Sequence, residues 1–151
     1  MSIAIRSAGS NDVQAILVIE QQAANAAHWT SEQYEALLAG GVILVAEFVA
    51  AETAQICGFI CAKLIVGEWE IENVVVAAKF LRRGIASAML LELIRLAIRE
   101  EASAILLEVR ESNLPARQVY EKHGFRKVGR RTFYYSNPPD DAILYALRFD
   151  R

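Results

Sequence analysis

One change of pattern constrains this chain more than any other feature. Glu68 to Val76 reads as a strand, alternating at Trp69 and Ile71 and then continuously apolar through Val74, Val75 and Val76. A short basic turn, Lys79-Phe80-Leu81-Arg82-Arg83-Gly84, follows. Apolar residues then recur at helical spacing from Met89 to Ile98, inside a helix predicted over about Gly84 to Glu101. Ala104 to Val109 is a short, very apolar run of the kind that fills a buried central strand. Strand, loop, helix and strand make a crossover unit, which requires parallel strands joined by a right-handed connection. The helix N-terminus offers free backbone N–H groups and partial positive charge beside two arginines, which suits a phosphate or pyrophosphate. Taken alone, the pattern fits a plain crossover equally well. It is neither a P-loop, since Gly-Lys-Ser/Thr is missing, nor a dinucleotide fingerprint, since Gly84 stands alone.

The remaining elements surround this unit. Ile3 and Ile5 alternate in a first strand. Ser10-Asn11-Asp12 offers N-caps to a helix with Val13, Ile16, Leu17 and Glu20 at helical spacing. Thr30 to Gln33 is a capping box that starts a second helix, with Tyr34, Leu37 and Leu38 inward and Gly40-Gly41 at its end. Val42 to Val49 and Ala54 to Val66, broken by Gly67, join Glu68 to Val76 in an antiparallel meander. Asn113 caps a further helix, with Pro115 in the first turn and His123-Gly124 at the close. Phe125 to Arg131 and Ala142 to Phe149 are the last strands, joined by the turn-rich stretch Ser136 to Asp141. The predicted order is β-α-α-β-β-β-α-β-α-β-β. That is a mixed α/β (α+β) domain around one central sheet, a single unit over residues 1–151.

Composition narrows the function classes. Hydrophobic residues make up 54% of the 151, which supports a core and excludes a disordered chain. A net charge of −2 gives no bulk basis for direct nucleic-acid binding. Glu68, Glu70, Glu72, Asp140 and Asp141 could favour a basic partner, although ordinary solvated charge explains each singly. Cys57 and Cys61, four apart on one strand, are expected to share a face at a spacing too long for a disulfide. With His28 and His123 as the only histidines, no metal site is expected, and the cysteines read as buried thiols. No signal-peptide pattern and no membrane-length apolar run are visible, so a cytoplasmic location is expected.

Three stretches change how the crossover reads: Val74 to Ser87, Leu107-Glu108-Val109-Arg110-Glu111-Ser112-Asn113, and Val119-Tyr120-Glu121-Lys122-His123-Gly124-Phe125. Together they resemble the GNAT acyl-CoA N-acyltransferase superfamily over nearly the whole chain. The Leu107 to Asn113 and Val119 to Phe125 stretches, with Arg130 to Tyr135 and the later Asp140-Asp141-Ala142, make the chain most similar to the bacterial RimI-type ribosomal-protein-alanine N-acetyltransferases, and His28-Trp29-Thr30 resembles that family's aromatic helix-start segment. The resemblance implies the acyl-CoA N-acyltransferase fold and an acetyl-CoA site, with CoA as product. Backbone groups of Val74, Val75 and Val76 would face the thioester and pantetheine arm. Backbone N–H groups of Arg82, Arg83, Gly84, Ile85, Ala86 and Ser87 would hold the pyrophosphate, and Asn113 would bond the cofactor arm. Two positions depart from the family pattern. Leu81 stands where Arg or Gln is usual, and Ala77-Ala78 replaces the usual acidic residue and proline.

Amide formation from a thioester needs a neutral amine, a donor to the oxyanion and a proton for the departing thiolate. Neutralising an α-amine of pKa roughly 8 costs only about 1 kcal/mol at neutral pH, so a modest base suffices. Glu108, on the apolar strand Leu106 to Val109, is the first candidate, because desolvation favours proton uptake by a carboxylate. Pairing with Arg110 or Arg117 is its structural alternative. By the resemblance, Tyr120 is the acid; by residue type alone it reads as a core aromatic. The oxyanion donor would be a strand N–H near Val76. Glu72 is the rival base or a substrate-side residue, and Glu70 shares its strand face. By the resemblance, Tyr134 would flank the peptide channel; by residue type alone, packing is an equally good reading.

The acceptor implied by the resemblance is a protein N-terminus, notably a ribosomal protein beginning with Ala, attacked directly in a ternary complex. A small amine, a lysine side chain, or a non-catalytic acyl-CoA-binding module remain as alternatives. No nucleic acid or membrane partner is expected, and the chain is expected to be a monomer or weak dimer.

Overall fold

A computed structural model describes residues 2–23 and 26–150. It begins with β1 (Ser2–Ser7) and a 3₁₀ turn (Ser10–Asp12) that runs into α1 (Val13–Gln22). α2 (Ser31–Gly40), β2 (Gly41–Ala50), β3 (Thr53–Ile65) and β4 (Glu68–Val76) follow. A second 3₁₀ turn (Ala78–Phe80) leads to α3 (Ile85–Arg99), then β5 (Ala104–Arg110), α4 (Leu114–Lys122), β6 (Arg126–Ser136) and β7 (Pro139–Arg148). The helix and strand order is the one the sequence predicts. The seven strands form one sheet in the order β1-β2-β3-β4-β5-β7-β6, with β4–β5 the parallel pair. The last hairpin is longer than its sequence suggests. β6 and β7 pair out to Ser136 and Pro139, so only Asn137 and Pro138 connect them.

Each helix forms where local chemistry and an apolar stripe agree. The Thr30 hydroxyl accepts from Gln33 N–H at 3.2 Å, and the Gln33 side chain accepts from Thr30 N–H at 2.8 Å, closing the predicted capping box of α2. In α3, Ile85, Met89, Leu90, Leu93 and Ala97 are buried at helical spacing. Each of its larger apolar side chains contributes about 1.5–3 kcal/mol when fully buried. The stripe packs with Tyr120 of α4 on one face of the sheet, over Ile60, Ile105 and Leu107. α1 and α2 cover the opposite face with Val13, Ile16, Ile19, Tyr34 and Leu37, against Val45, Phe59, Cys61 and Val75.

Two β-bulges reassign side chains between these faces. In β3, Ala46 pairs with Gly58 and Glu47 with Ile56, leaving Cys57 as the extra residue. Cys57 therefore packs on the α3 side and Cys61 on the α1–α2 side. This overturns the expectation that the two thiols share a face, which holds only for an unbroken period of two. Both thiols are buried and free. In β4, Asn73 pairs with Cys61 and Ile71 with Ala62, leaving Glu72 as the extra residue. Trp69 and Ile71 accordingly pack on the α3 side, whereas Val75 packs beneath α1 and α2.

Candidate active site

The site starts from a failure of pairing. β4 and β5 pair only at Glu68–Ala104, Trp69–Ile105 and Glu70–Leu106, then diverge, while β5 continues to pair with β7 to Arg110. Backbone groups on the facing edges beyond Glu70 and Leu106 thus open into a cleft of about 500 Å³. Such groups need partners from water or a ligand. Val74 and Val76 line the cleft, whereas the Val75 side chain is buried on the far face. Only Val75's backbone can therefore serve the cleft.

At one end lies the start of α3. Gly84 caps the helix with φ 76°, a left-handed conformation that Gly adopts without a Cβ clash, and no side chain caps the first turn. The first-turn amides of Ile85, Ala86 and Ser87 have no intrahelical partner. Ala86 lines the cleft, while the Ile85 side chain is core. Arg82 is also left-handed, with φ 64°. The Arg83 guanidinium, exposed at the surface, lies 5.2 Å from the Phe80 ring. Leu81 is exposed and lines the cleft. This end suits a pyrophosphate held by backbone donors. Asn113 caps α4 through its side-chain oxygen, which accepts from Ala116 N–H at 3.3 Å. Its amide donors remain available to the cleft that Asn113 lines.

The other end is polar. Glu108 lines the cleft, and Arg131 of β6 holds its Oε1 at 3.1 Å. Neither Arg110 nor Arg117 is its partner. Arg110 stacks over Tyr135 at 4.3 Å and donates to Pro138 O at 2.8 Å, and Arg117 donates to the Tyr145 hydroxyl at 3.0 Å. Glu72 also lines the cleft and pairs with Lys63 at 3.0 Å. Burial, then the charge of Glu72 and more weakly that of Glu108, lifts the Glu70 carboxyl above its ordinary range, against an opposing pull from Lys63. Tyr120 is buried between Phe125 and Tyr145, and its side chain makes no hydrogen bond among the described residues. Burial pushes its phenol upward, with a smaller push from Tyr135.

The aromatic that lines the cleft beside these groups is Tyr135. Tyr134, the sequence candidate, is exposed beneath the Arg131 guanidinium at 5.6 Å. The switch follows from an irregularity in β6: its register shifts between Arg131 and Tyr135, and Phe133 has φ 52°. Sequence reasoning also missed Arg131 and the buried pair Glu20 and Asn73. Polar residues inside apolar runs were the available signal for that pair. Among the described residues no group of three or more potential ligands could hold a metal ion, and no helix is long and apolar enough to cross a membrane.

Residues 13–125 match the Acetyltransferase (GNAT) family. Over 145 residues the chain is 31% identical to the [ribosomal protein bS18]-alanine N-acetyltransferase of Escherichia coli strain K12, covering 95% of each chain. The crystal structure of the ribosomal-protein-S18-alanine N-acetyltransferase from Escherichia coli superposes with a TM-score of 0.87 at 25% identity, covering 99% of this chain and 96% of that one. Arabidopsis thaliana NAA60 in complex with acetyl-CoA is similar in fold, with a TM-score of 0.88 at 19% identity and coverage of 98% and 99%.

Proposed function

The chain belongs to the Acetyltransferase (GNAT) family and is an acetyl-CoA-dependent N-acetyltransferase; from that premise we propose that it acetylates the N-terminal α-amine of a protein, a ribosomal protein beginning with Ala, in the cytoplasm. One observation carries the reading: uncapped α3 amides, unpaired β4 edge groups, Glu108 and Tyr120 all open onto one cleft.

Bound acetyl-CoA supplies an activated thioester carbonyl. Amides from Arg82 to Ser87 would hold its pyrophosphate, Asn113 would donate to its arm, and β4 backbone from Val74 to Val76 would align it. An N–H near Val76 would donate to the oxygen that gains charge. Glu108 takes a proton from the acceptor ammonium at Oε1, the atom that Arg131 holds. Arg131 occupies the place a substrate cation needs and must yield it. Tyr120 would give its hydroxyl proton to the departing sulfur, and the second proton lost by the acceptor nitrogen would restore the phenol. Burial raises the phenol, which keeps it protonated and able to donate. Glu70 and Glu72 give this end negative character, which favours a basic peptide.

The test is mass spectrometry of peptides after incubation with acetyl-CoA. Peptides beginning with Ala are expected to gain one acetyl group at the α-amine, faster than peptides with other first residues and with internal lysines unmodified. Preference for lysine would refute the acceptor assignment. Acetyl-CoA binding without turnover on any amine would refute the enzymatic role.

A further inference from the structure

Ala26 and Ala27, in the loop between α1 and α2, line the cleft together with Glu108 and Tyr135. Buried side chains hold Ala27 and Trp29 by their backbones. Ala27 N–H donates to Asn73 Oδ1 at 3.3 Å, and Asn73 Nδ2 donates back to Ala27 O at 2.9 Å. The Asn73 amide thus imitates a paired strand neighbour. Two residues on, Trp29 N–H donates to Glu20 Oε2 at 3.0 Å. Tyr34 links the two holds, because its hydroxyl donates to Glu20 and accepts from Asn73 Nδ2 at 3.3 Å. Glu20 is 1% exposed and Asn73 6%.

Such a network is an expensive way to gain stability. A buried carboxylate and amide must be fully paired merely to offset their desolvation, and apolar residues of similar volume often do as well. The β4 bulge adds to the case. With Glu72 as the extra residue, position 73 turns toward Tyr34 and the α1–α2 loop. In an unbroken alternation with Trp69 and Ile71 it would face α3 instead. The strand irregularity and the polar network therefore serve the same end, which is to hold Ala27.

We infer that Asn73 and Glu20 are positioning residues that lock the Ala26–Ala27 wall of the cleft, and that this lock limits the acceptor's first side chain to a small one. The inference rests on the proposed α-amine acceptor. The Ala27 backbone is held through both its N–H and its C=O, so a larger first side chain that met this wall would have to displace it and break its bonds to Asn73. Releasing the lock should loosen selectivity and acceptor binding while leaving the α3 end of the cleft intact.

The experiment compares wild type with Asn73→Leu and Asn73→Asp on peptides that differ only in the first residue, Ala, Ser, Val or Leu. Asn73→Leu is expected to raise KM for the Ala peptide about tenfold and to lower the Ala-over-Leu preference about tenfold, because a small misplacement of a substrate wall is costly. Acetyl-CoA affinity and kcat are expected to stay within about threefold. Asn73→Asp still accepts from Ala27 N–H but sets a carboxylate oxygen against Ala27 O, so it should loosen selectivity at least as far as Asn73→Leu. If Asn73→Leu does not fold, Glu20→Gln replaces it, with loss of Ala selectivity again expected. Unchanged selectivity in the folded variants, or parallel losses of kcat, cofactor affinity and melting temperature, would overturn the inference while leaving the proposed function standing. Wild-type protein that acetylates no α-amine would overturn both.

Discussion

The sharpest test of the mechanism is Tyr120→Phe. The ring is buried against Phe125, with centroids 5.8 Å apart, and against Tyr145 at 6.2 Å, and phenylalanine keeps both contacts. The hydroxyl makes no hydrogen bond among the described residues, so its removal leaves no partner unsatisfied, and the stability cost should stay below about 1 kcal/mol. Loss of a positioned acid lowers turnover by roughly 10²- to 10⁴-fold. The pyrophosphate end is built from α3 amides that the phenol does not touch, so acetyl-CoA affinity should change less than about twofold. Steady-state kinetics, a cofactor titration and a thermal melt on one preparation separate these quantities. Because burial keeps the phenol protonated, wild-type kcat should also show no alkaline fall from this group up to about pH 10. A variant that loses affinity and turnover in proportion, or melts several degrees lower, would refute the acid role and return Tyr120 to the core.

Three further outcomes are expected. Glu108→Gln should lower kcat/KM by about 10²-fold or more and flatten the acidic limb of the pH–rate profile, whereas Glu72→Gln should keep that limb; the reverse result would make Glu72 the base. Leu81→Arg places a cation at the mouth of the cleft, and should tighten acetyl-CoA binding about two- to fivefold at low ionic strength, an effect that high salt removes; a salt-independent gain would argue against an electrostatic origin. Glu70→Gln tests the raised carboxyl. A carboxyl lifted in the fold favours the folded state below its unfolded value and works against it once pH rises through the folded value, so the variant should melt higher than wild type at neutral pH, by of order 1 °C at this half-exposed position, and equally near pH 4. A higher melting point at both pH values would point to packing instead of charge.

The start of β4 and the cap of α2 were legible because local chemistry decides them: the break at Gly67 in one case, a reciprocal Thr30–Gln33 bond in the other. The splay of β4 from β5 was not legible, since pairing that stops after Glu70 and Leu106 leaves no mark in either strand's own pattern. The hairpin β6–β7 was read short because Asp140 and Asp141 resemble turn residues. They are instead satisfied across the sheet, Asp140 by Ser112 at 2.6 Å and Asp141 by Arg130 at 2.6 Å. The same tie-down brings Tyr135 and Arg131 to Glu108, so Tyr135 joins the cleft lining while Tyr134 stays exposed beside Arg131. The bulges are the instructive case. The sequence of β4 does carry a trace of its bulge, where alternation at Trp69 and Ile71 gives way to a run of three valines after Glu72 and Asn73. A reader who keeps one phase through that break assigns Asn73 to the α3 face and sees a buried amide with nothing to bond. Shifting the phase by one residue at Glu72 gives Asn73 its partners in the α1–α2 loop and gives the cleft Val74 and Val76. An isolated polar residue at a phase break is thus a positional signal. Here it joins the wall where the acceptor would enter to the strand along which acetyl-CoA would lie.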